Sequence, residues 1–317
     1  MAIDEMKCFM CPLLFCPISP AGEAEILAGG GGTVALIRMK AVVLARGLGR
    51  RMKQDHEAAA LTGPQAAAAA AGAKGMMPIG RASTAPGASG PNRPFLDYVL
   101  SALADAGCTR VCLVVAPDHH VIREYYDGAR RPVRVEIAFA VQPEANGTAR
   151  AVQSAQIFTG ADPFLVLNSD NLYPAPVLRA LVDLNGPGLP VYERDSLIHD
   201  SGFPPDRVAA FAAVETDAAG LLTRIVEKPG PEYYEAAGPR ALISMNVWRF
   251  DHRIFDACRD VPLSARGEYE LPEAVGVAVG RGVAFQTFRA TGAVLDLSRA
   301  SDVAHVNERL AGLEPRP

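Results

Sequence analysis

The stretch MKAVVLARGLGRRM, Met39–Met52, is the part of this sequence that indicates its fold. Its first half, Lys40–Ala45, is almost entirely apolar, as expected of a β-strand that is buried on both faces. A turn with two glycines follows at once, and glycines let backbone N–H groups approach phosphate oxygens at the start of a helix. The stretch therefore predicts a strand, a phosphate-binding turn and a helix in succession.

Two common phosphate-binding motifs do not fit this turn. A dinucleotide-binding turn needs a third glycine shortly after Gly49, and the residues that follow are two arginines, a methionine and a lysine. A P-loop needs Gly-Lys-Ser or Gly-Lys-Thr, which is absent here. The turn alone is a weak signal, so the function has to be argued from the rest of the chain.

Short apolar runs alternate with helical patterns in the first half of the chain. Strands are predicted at Lys40–Ala45, Arg110–Val115, Val135–Ala140 and Phe164–Asn168, and helices at Phe95–Ala106, His119–Tyr126 and Thr148–Ile157. Apolar strands joined by helices predict a mostly parallel sheet that is covered on both faces. The predicted fold class is α/β, doubly wound and Rossmann-like, with ligands at the carboxyl ends of the strands.

After Pro174 the pattern changes to longer strands, which we expect to be partly antiparallel. These strands are predicted at Val208–Val214, Leu221–Val226 and Leu242–Phe250, followed by helices at Tyr269–Val279 and Ala300–Ala311 with a strand at Val283–Phe288 between them. They predict a smaller antiparallel part that completes the site of a single domain, residues 39–317.

Three segments differ in composition from this domain. Residues 1–38 contain a glycine run and show no clear period, so we predict a disordered N-terminal extension before a natural start at Met39. A functional N-terminal arm is the alternative. Ala58–Ala71 is alanine-rich and Arg81–Asn92 is rich in Gly, Ser and Pro; both are predicted to be surface insertions that are mobile near the site.

Composition excludes several classes of function. The 317 residues carry a formal net charge of -4, so no global positive field attracts nucleic acid, and a polyanionic ligand needs a local cluster of cations. No apolar run approaches the ~20 residues of a membrane span, and the N-terminal segment lacks the features of a secretory signal. We therefore expect a cytoplasmic protein with no nucleic-acid or membrane partner, and the sequence allows a homo-oligomer.

The six cysteines form two groups. Cys8, Cys11 and Cys16 lack a fourth ligand at zinc-site spacing, so their proximity is attributed to chance. The other three, Cys108, Cys112 and Cys258, lie in apolar patterns and are predicted to be core residues.

Five further motifs follow the glycine turn in order. They are Lys74–Ile79 with one lysine, Gln142-Pro143 with Gly147–Ala149, Leu165–Asn171 with Asp170, Val226–Pro229 with Glu227 and Lys228, and Leu295–Ser298 with Asp296. Taken singly, each has an ordinary explanation, such as a helix cap, a solvated lysine, a loop amide or a surface ion pair. Taken jointly and in this order, they favour a functional site.

From Met39 to about Val306 the chain resembles the sugar-1-phosphate nucleotidyltransferases, which include glucose-1-phosphate thymidylyltransferases and uridylyltransferases. The opening pattern of that family is Leu-Ala-x-Gly-x-Gly-Thr-Arg, followed by Lys-x-x-x-Pro. It corresponds here to Leu44, Ala45, Gly47, Gly49 and Arg51, and then to Lys74–Pro78. The resemblance implies a nucleotidyltransferase that joins a nucleoside triphosphate to a sugar 1-phosphate, with dTTP or UTP favoured.

The resemblance also implies how the phosphates are held. Two anionic substrates must meet, and like charges ~4 Å apart repel by roughly 4 kcal/mol at an effective dielectric near 20. Arg51 and the turn Leu44–Gly49 would bind the triphosphate, Lys74 would lie across the phosphates, and Lys228 would bind the sugar phosphate. Asp170 and Asp296 would hold Mg²⁺, which prefers carboxylate and phosphate oxygens.

Further residues are implied for the base and the sugar. Gln142 would hydrogen-bond the base edge, and Gly147 would let the base stack close to the backbone. Glu227 and Asn246 would contact sugar hydroxyls. For Glu268 and Glu270 a helix-capping or structural role is preferred over a sugar contact, and the histidines are assigned no metal or catalytic role.

The chain also departs from the family pattern. Arg46 stands where a small residue is usual, Arg50 replaces Thr or Ser, and Ser169 replaces glycine. The alanine-rich stretch lengthens the gap between Arg51 and Lys74, so we expect it to loop out. Two alternatives stay open: a catalytically silent regulatory homologue that binds nucleotide-sugars, and a cytidylyltransferase for a non-sugar alcohol phosphate, against which Glu227-Lys228-Pro229 argues.

Overall fold

The computed structural model describes residues 39–55, 59–79, 92–128 and 130–317. The predicted N-terminal extension, including Cys8, Cys11 and Cys16, lies outside the described residues, as does Arg81–Asn92 apart from its last residue. Within the described ranges, no helix is both long and apolar enough to cross a bilayer.

The strands alternate with helices through most of the chain. The strands are β1 Lys40–Leu44, β2 Pro78–Ile79, β3 Arg93–Pro94, β4 Arg110–Val115, β5 Glu136–Val141, β6 Phe164–Asn168, β7 Asn171–Leu172, β8 Gly188–Glu193, β9 Ala212–Thr216, β10 Leu222–Val226, β11 Leu242–Ser244, β12 Trp248–Phe250, β13 Gln286–Arg289 and β14 Leu295–Asp296. The helices are α1 Arg50–Asp55, α2 Gly63–Ala71, α3 Phe95–Asp105, α4 His120–Asp127, α5 Thr148–Ser154, α6 Gln156–Thr159, α7 Ala175–Val182, α8 Arg194–His199, α9 Pro205–Val208, α10 Pro231–Ala237, α11 Arg253–Asp260, α12 Leu271–Gly280 and α13 Asp302–Arg309, with a 3₁₀ turn at Lys74–Met76.

One mixed sheet contains most of these strands, in the order β10-β9-β11-β8-β12-β6-β1-β4-β5, with β13 also paired to β8. The strands β6, β1, β4 and β5 are parallel. From β12 to β10 the neighbours are antiparallel. The predicted fold class is confirmed, and its antiparallel part is the continuation of the central sheet.

Apolar side chains cover both faces of the parallel half. Along β1, Ala41 and Val43 belong to one core cluster, and Val42 belongs to the other. This alternation is what a strand buried on both faces requires. The predicted core cysteines Cys108, Cys112 and Cys258 are all buried, and burial raises the pKa of each thiol to about 12.

The antiparallel half differs from the prediction at two places. The predicted strand Leu242–Phe250 is divided into β11 and β12, because Asn246 between them has a positive φ of 60°. The predicted strand Val208–Val214 begins only at Ala212, since Pro205–Val208 forms α9. A proline at the start of a short helix fits that helix, because its missing N–H is not needed there.

The described part of the alanine-rich stretch lies mostly at the surface, as predicted, and forms a helix that the sequence analysis did not predict. Gly63–Ala71 forms α2, in which Gln65 and Ala69 are buried. Gln65 accepts a hydrogen bond from the Thr62 N–H at 3.1 Å and donates to the Pro78 carbonyl at 2.9 Å. Alanine has the highest helix propensity, so a packed helix is the ordinary outcome of this composition.

Candidate active site

Two carboxylates that are 126 positions apart in the sequence lie side by side at the end of β6. Asp170 follows β6, and Asp296 lies in β14, whose register pairs Asp296 with Asn171. The Leu297 N–H also donates to the Asp170 carbonyl at 2.8 Å. The two-stranded pairing of β7 with β14 therefore brings together the acids that were predicted to share an ion.

Burial and mutual repulsion make this pair a costly arrangement for the protein alone. Asp296 is 8% exposed, and its pKa is raised by burial first and by the nearby Asp170 second. Its Oδ1 atom is buried and accepts no hydrogen bond from a described residue. Buried acids are normally fully hydrogen-bonded, so this oxygen has capacity left for a ligand.

Arg207, from α9, is a cation near the pair that the sequence did not indicate. Its Nη2 lies 3.2 Å from Asp296 Oδ1, as an ion pair without the alignment of a hydrogen bond. Both terminal nitrogens donate to Asp302, at 2.6 and 3.0 Å. Arg207 is thus fixed by Asp302 and offsets part of the charge of Asp296.

Lys74 lies directly beside the acid pair. Its Nζ donates to Asp170 Oδ2 at 2.7 Å, and both side chains are mostly buried, at 20% and 17% exposed. The next residue, Gly75, lies against Ser169, where an added Cβ would be 3.4 Å from the serine Cβ. The lysine therefore reaches the end of β6 through close contact of the 3₁₀ turn with that strand.

Helix α2 determines the position of Lys74. Gly72 at its C-terminus has a φ of 70° and contacts the glycine turn, because a Cβ added to Gly49 would lie 2.4 Å from the Gly72 oxygen. Gly49 itself has a φ of 59°. A side chain at either position would separate the turn from α2.

The glycine turn leaves open space where the phosphates are expected. A Cβ added to Gly47 would meet no atom within 4 Å, and Leu44 and Ala45 end β1 directly before it. Arg51 lies in α1 with an exposed side chain, and no described residue forms an ion pair with it. The predicted triphosphate residues therefore share one face at the carboxyl end of β1.

Gln142 is held on three sides at the end of β5. Its N–H donates to the Val115 carbonyl at 3.0 Å, its own carbonyl accepts from Arg46 Nε at 3.0 Å, and its side-chain Nε2 donates to Asn146 and Gly147. The residue is 4% exposed. Because its orientation is fixed, this side-chain amide can distinguish a ligand that donates a hydrogen bond from one that accepts it.

The structure gives a reason for a glycine at position 147 that differs from the base contact that the resemblance implied. Its φ is 117°, and an added Cβ would lie 2.2 Å from the Tyr269 carbonyl oxygen. The Tyr269 N–H donates to the Asn146 carbonyl, and the Ala149 N–H donates to the Tyr269 carbonyl, both at 2.9 Å. The glycine is thus required by a neighbouring backbone, and its predicted contact with a base stays a prediction.

The antiparallel half brings Lys228 and Asn246 to the level at which β6 ends. Val226 pairs with Ala213, which also pairs with Ile243. Lys228, two residues after Val226, is therefore level with the segment between β11 and β12. Trp248 pairs with Val166, which sets Asn246 level with Asn168. Lys228 and Asn246 also have positive φ values, 44° and 60°, and such strain in residues other than glycine concentrates at functional sites.

A buried tyrosine connects the two halves. The Tyr173 hydroxyl donates to the Met245 carbonyl at 2.6 Å. Its pKa is raised well above the ordinary value, first by burial, then by Tyr192 and by the carboxylates of Asp170 and Asp296. The acid pair and the Asn246 segment therefore lie close to each other, on either side of Tyr173.

Glu227 belongs to a charged cluster that contains a second cation missed by the sequence, Arg266. Burial first, and the charge of Glu270 second, raise the pKa of Glu227, while Arg266 and Lys228 act in the opposite direction. Arg266 binds Glu270 through two nitrogens. Glu270 is the residue before α12 and makes no side-chain cap hydrogen bond, so of the helix-capping or structural role predicted for it, the structure shows the structural one, an ion pair with Arg266.

Comparison with known proteins identifies the family. The family described as "Nucleotidyl transferase" matches this chain over residues 71–311.

The chain belongs to the nucleotidyl transferase family.

As a family member it is an enzyme of the nucleotidyltransferase class, and sequence relatives agree. A UTP–glucose-1-phosphate uridylyltransferase of Haloferax volcanii is 27% identical over 276 residues, which cover 86% of this chain and 96% of the relative. A glucose-1-phosphate thymidylyltransferase of Streptomyces antibioticus is 28% identical over 284 residues, covering 88% of this chain and 68% of the relative.

Solved structures support the fold of this nucleotidyltransferase. A putative glucose-1-phosphate thymidylyltransferase from Bacillus anthracis has a TM-score of 0.62 at 18% identity and covers 87% of this chain and 96% of its own. A UDP-glucose pyrophosphorylase complexed with UDP-glucose has a TM-score of 0.63 at 16% identity, covering 86% and 97%. At such identities the agreement concerns the fold alone.

Proposed function

We propose that this nucleotidyltransferase transfers a nucleoside monophosphate from UTP or dTTP to a sugar 1-phosphate in a Mg²⁺-dependent reaction that releases pyrophosphate. The observation that carries the proposal is the pairing of β7 with β14, which places Asp170 and Asp296 together beside Lys74. Two adjoining, partly buried acids next to a lysine suit a divalent cation together with substrate phosphates.

In the proposed reaction an oxygen of the sugar phosphate attacks the α-phosphorus of the triphosphate. A new P–O bond forms there, the bond from the α-phosphorus to the bridging oxygen breaks, and pyrophosphate leaves with the electron pair. The attacking oxygen is already anionic, so no general base is required. The task of the protein is to position two anions and to offset their repulsion.

The cations of this chain are distributed for that task. Arg51 at the start of α1 would bind the β- and γ-phosphates together with the turn amides. Lys74 would move from Asp170 to a phosphate oxygen, which is a short displacement for a flexible lysine. Lys228 would hold the phosphate of the sugar on the opposite side. Each would stabilise charge that shifts during transfer.

The acid pair fits a hard divalent cation. Two carboxylates are the usual protein contribution to a magnesium site that substrate phosphates complete, and Asp296 Oδ1 is a buried acceptor without a hydrogen bond. Asp170 and Asp296 would hold the ion. When bound, it would supply positive charge that positions and polarises the α-phosphate.

The side chain of Gln142 would favour a base with a ring N–H, such as uracil or thymine, over cytosine and adenine. Its Nε2 donates to the Gly147 carbonyl at 3.0 Å and to Asn146 Oδ1 at 3.2 Å. Because the Gly147 carbonyl can only accept, the amide orientation is fixed and Oε1 is left as an acceptor. Uracil and thymine carry a ring N–H, whereas the corresponding nitrogen of cytosine or adenine is an acceptor.

Glu227 and Asn246 would recognise the sugar. A carboxylate accepts from hydroxyl groups, and an asparagine amide both accepts and donates, which suits a ring with several adjacent hydroxyls. Both residues lie in the antiparallel half at the level of the acid pair, so the sugar would be bound between the two halves of the sheet.

One observation favours the silent regulatory homologue as a second candidate. Both acids already have a cationic neighbour within the chain, Asp170 with Lys74 and Asp296 with Arg207. A protein that binds nucleotide-sugars without metal or turnover could use these internal cations permanently. The two candidates differ in one measurable respect, since only the enzyme releases pyrophosphate.

A pyrophosphate-release screen tests the proposal. UTP, dTTP, CTP, ATP and GTP are each combined with a panel of sugar 1-phosphates, with Mg²⁺ and with EDTA. We expect turnover with UTP or dTTP that needs Mg²⁺ and falls at least 100-fold in Asp170→Asn, while the matched surface variant Asp256→Asn stays at the wild-type rate. Turnover that persists in EDTA would contradict the metal assignment, and UTP binding without any release would favour the silent homologue.

A further inference from the structure

Arg46 makes a contact that no role assigned so far explains. It lies in the turn after β1, and its guanidinium reaches the loop after β5, where Nε donates to the Gln142 carbonyl at 3.0 Å and Nη2 donates to the Pro143 carbonyl at 3.1 Å. Arg46 therefore joins the turn expected to bind phosphate to the loop expected to bind the base.

The span requires a long side chain. Strand β4 lies between β1 and β5 in the sheet, so the two connected loops are separated by two strand spacings, roughly 9–10 Å. Each loop begins with a backbone hydrogen bond to the end of β4: the Ala45 N–H donates to the Val114 carbonyl, and the Gln142 N–H donates to the Val115 carbonyl. Arg46 crosses just beyond them and bridges the end of β4.

Stability alone does not account for this arginine. Its third guanidinium nitrogen, Nη1, is buried and finds no acceptor among the described residues. An unpaired buried donor is unfavourable and offsets part of what the two hydrogen bonds to carbonyls contribute. The main effect of the bridge is that it fixes the relative position of two loops.

The loop it holds carries the recognition amide. The Gln142 backbone is fixed by Val115 on one side and by Arg46 on the other, and its side chain is fixed by Asn146 and Gly147. Without Arg46, the Gln142 carbonyl loses one of these restraints, and the position of Oε1 relative to the glycine turn becomes less defined.

We propose that Arg46 is a nucleotide-positioning residue, which sets the distance between the glycine turn and the base-recognising loop before the nucleotide binds. The proposal rests on the proposed function, because it assigns the two loops to the phosphate and the base of one nucleotide. It concerns a residue of this chain at which the family pattern has a small side chain.

Two substitutions distinguish the effect of the two hydrogen bonds made by Arg46 from the effect of its positive charge. Arg46→Met keeps the length of the aliphatic part and removes the charge and both donors. Arg46→Lys keeps the charge, but a single Nζ cannot reproduce the geometry of two separate guanidinium nitrogens. Arg281→Met, at an exposed arginine paired with Asp260, is the matched control.

The first measurement is the Kd of UTP, of dTTP and of inorganic pyrophosphate by calorimetry with Mg²⁺ present. We expect Arg46→Met to weaken both nucleotides about tenfold and pyrophosphate less than twofold, because the bridge positions the base loop and not the phosphates. Arg46→Lys should behave like Arg46→Met, and Arg281→Met like the wild type.

The second measurement is steady-state kinetics together with thermal unfolding. We expect the KM for the nucleotide to rise about tenfold, kcat and the KM for the sugar 1-phosphate to change less than threefold, and the unfolding midpoint to move by less than about 2 °C.

Three results would overturn the proposal. Unchanged nucleotide affinity in Arg46→Met would show that the bridge positions nothing, and wild-type affinity in Arg46→Lys would reduce its role to charge. A parallel loss of stability and of all three affinities would make Arg46 an ordinary structural residue. Since affinity is measured without turnover, a wild type that binds UTP but releases no pyrophosphate would contradict the proposed function and still test Arg46.

Discussion

At the residue scale, the buried acid pair is the clearest conflict between stability and function. Asp296 is almost inaccessible, lies beside a second carboxylate, and has an oxygen without a hydrogen bond. Burial of an ionised group is costly unless the group is paired, and Arg207 compensates only in part because Asp302 holds it with two hydrogen bonds. We expect this cost to be measurable when the charge is removed.

Asp296→Asn is predicted to stabilise the folded chain and to abolish nucleotidyl transfer. The folded-state pKa of Asp296 is raised, so its ionised form destabilises the fold at any pH above the ordinary pKa of 3.8. At pH 7, without divalent ions, we expect a melting-temperature increase of about 2–4 °C, equivalent to ~1 kcal/mol for a chain of this size.

The pH dependence provides the control for Asp296→Asn. The difference from the wild type should disappear as the pH falls through the ordinary pKa, since Asp296 is then protonated in both states. Asp256→Asn, at an exposed position, should leave the melting temperature unchanged at every pH. A melting temperature that falls in Asp296→Asn at pH 7 would show that the Arg207 contact outweighs burial and repulsion.

At the element scale, helix α2 matters because it positions Lys74, which lies 25 residues beyond Gly49 of the glycine turn. Its C-terminal Gly72 lies against Gly49 and against the Leu48 carbonyl, and the 3₁₀ turn that carries Lys74 begins two residues later. The close approach of two glycines, each with a positive φ, thus connects the composition of α2 to the geometry of the site.

Gly72→Ala is predicted to destabilise the protein and to impair transfer. Alanine is disfavoured at a φ of 70° by about 1–2 kcal/mol, and its Cβ would lie 2.7 Å from the Leu48 carbonyl oxygen, which adds overpacking of about 1–3 kcal/mol. We expect a loss of roughly 2–5 kcal/mol in denaturant unfolding and at least a tenfold lower kcat/KM, because Lys74 moves away from Asp170.

Gly63→Ala in the same helix is the matched control. A Cβ there meets no atom within 4 Å, and the position opens α2, so stability should change by less than about 0.5 kcal/mol. Equal effects of the two substitutions would mean that helix propensity, and not the Gly72 contact, determines the outcome.

At the scale of the whole molecule, the site depends on one sheet with two kinds of strand pairing. The parallel half supplies the glycine turn and Asp170, and the antiparallel half supplies Lys228 and Asn246. Strand β12 joins them, because it pairs with β6 on one side and with β8 on the other. We therefore expect the two halves to unfold together.

Trp248 offers a direct test of that cooperativity, since it is the single tryptophan of the chain and is fully buried in β12. Its fluorescence and the far-UV circular dichroism should give the same unfolding midpoint. UTP at 100 times its Kd, with Mg²⁺ present, should add about 2.7 kcal/mol to the free energy of unfolding. Both midpoints should therefore rise together. Two separate transitions would indicate that the halves are independent units.

The sequence determined the strands of the parallel half closely. Strands β1, β4 and β6 begin and end within a residue of their predicted limits, because a strand buried on both faces needs a continuous apolar run. The motif order also predicted which acids and lysines form the site, since each motif combines residue types that phosphate chemistry requires, and the structure brings Asp170, Asp296 and Lys74 together.

Only the tertiary structure decided which of these residues meet and through which contacts. The pairing of Asp296 with Asn171 depends on two strands of two residues, too short for any periodicity in the sequence to reveal. The contacts of Arg46, Arg207 and Arg266 were not predicted, because an arginine's partner is set by long-range packing and not by its neighbours in the chain. Sequence patterns record local demands on backbone and burial, whereas a site of opposed charges exists only once distant segments are brought together.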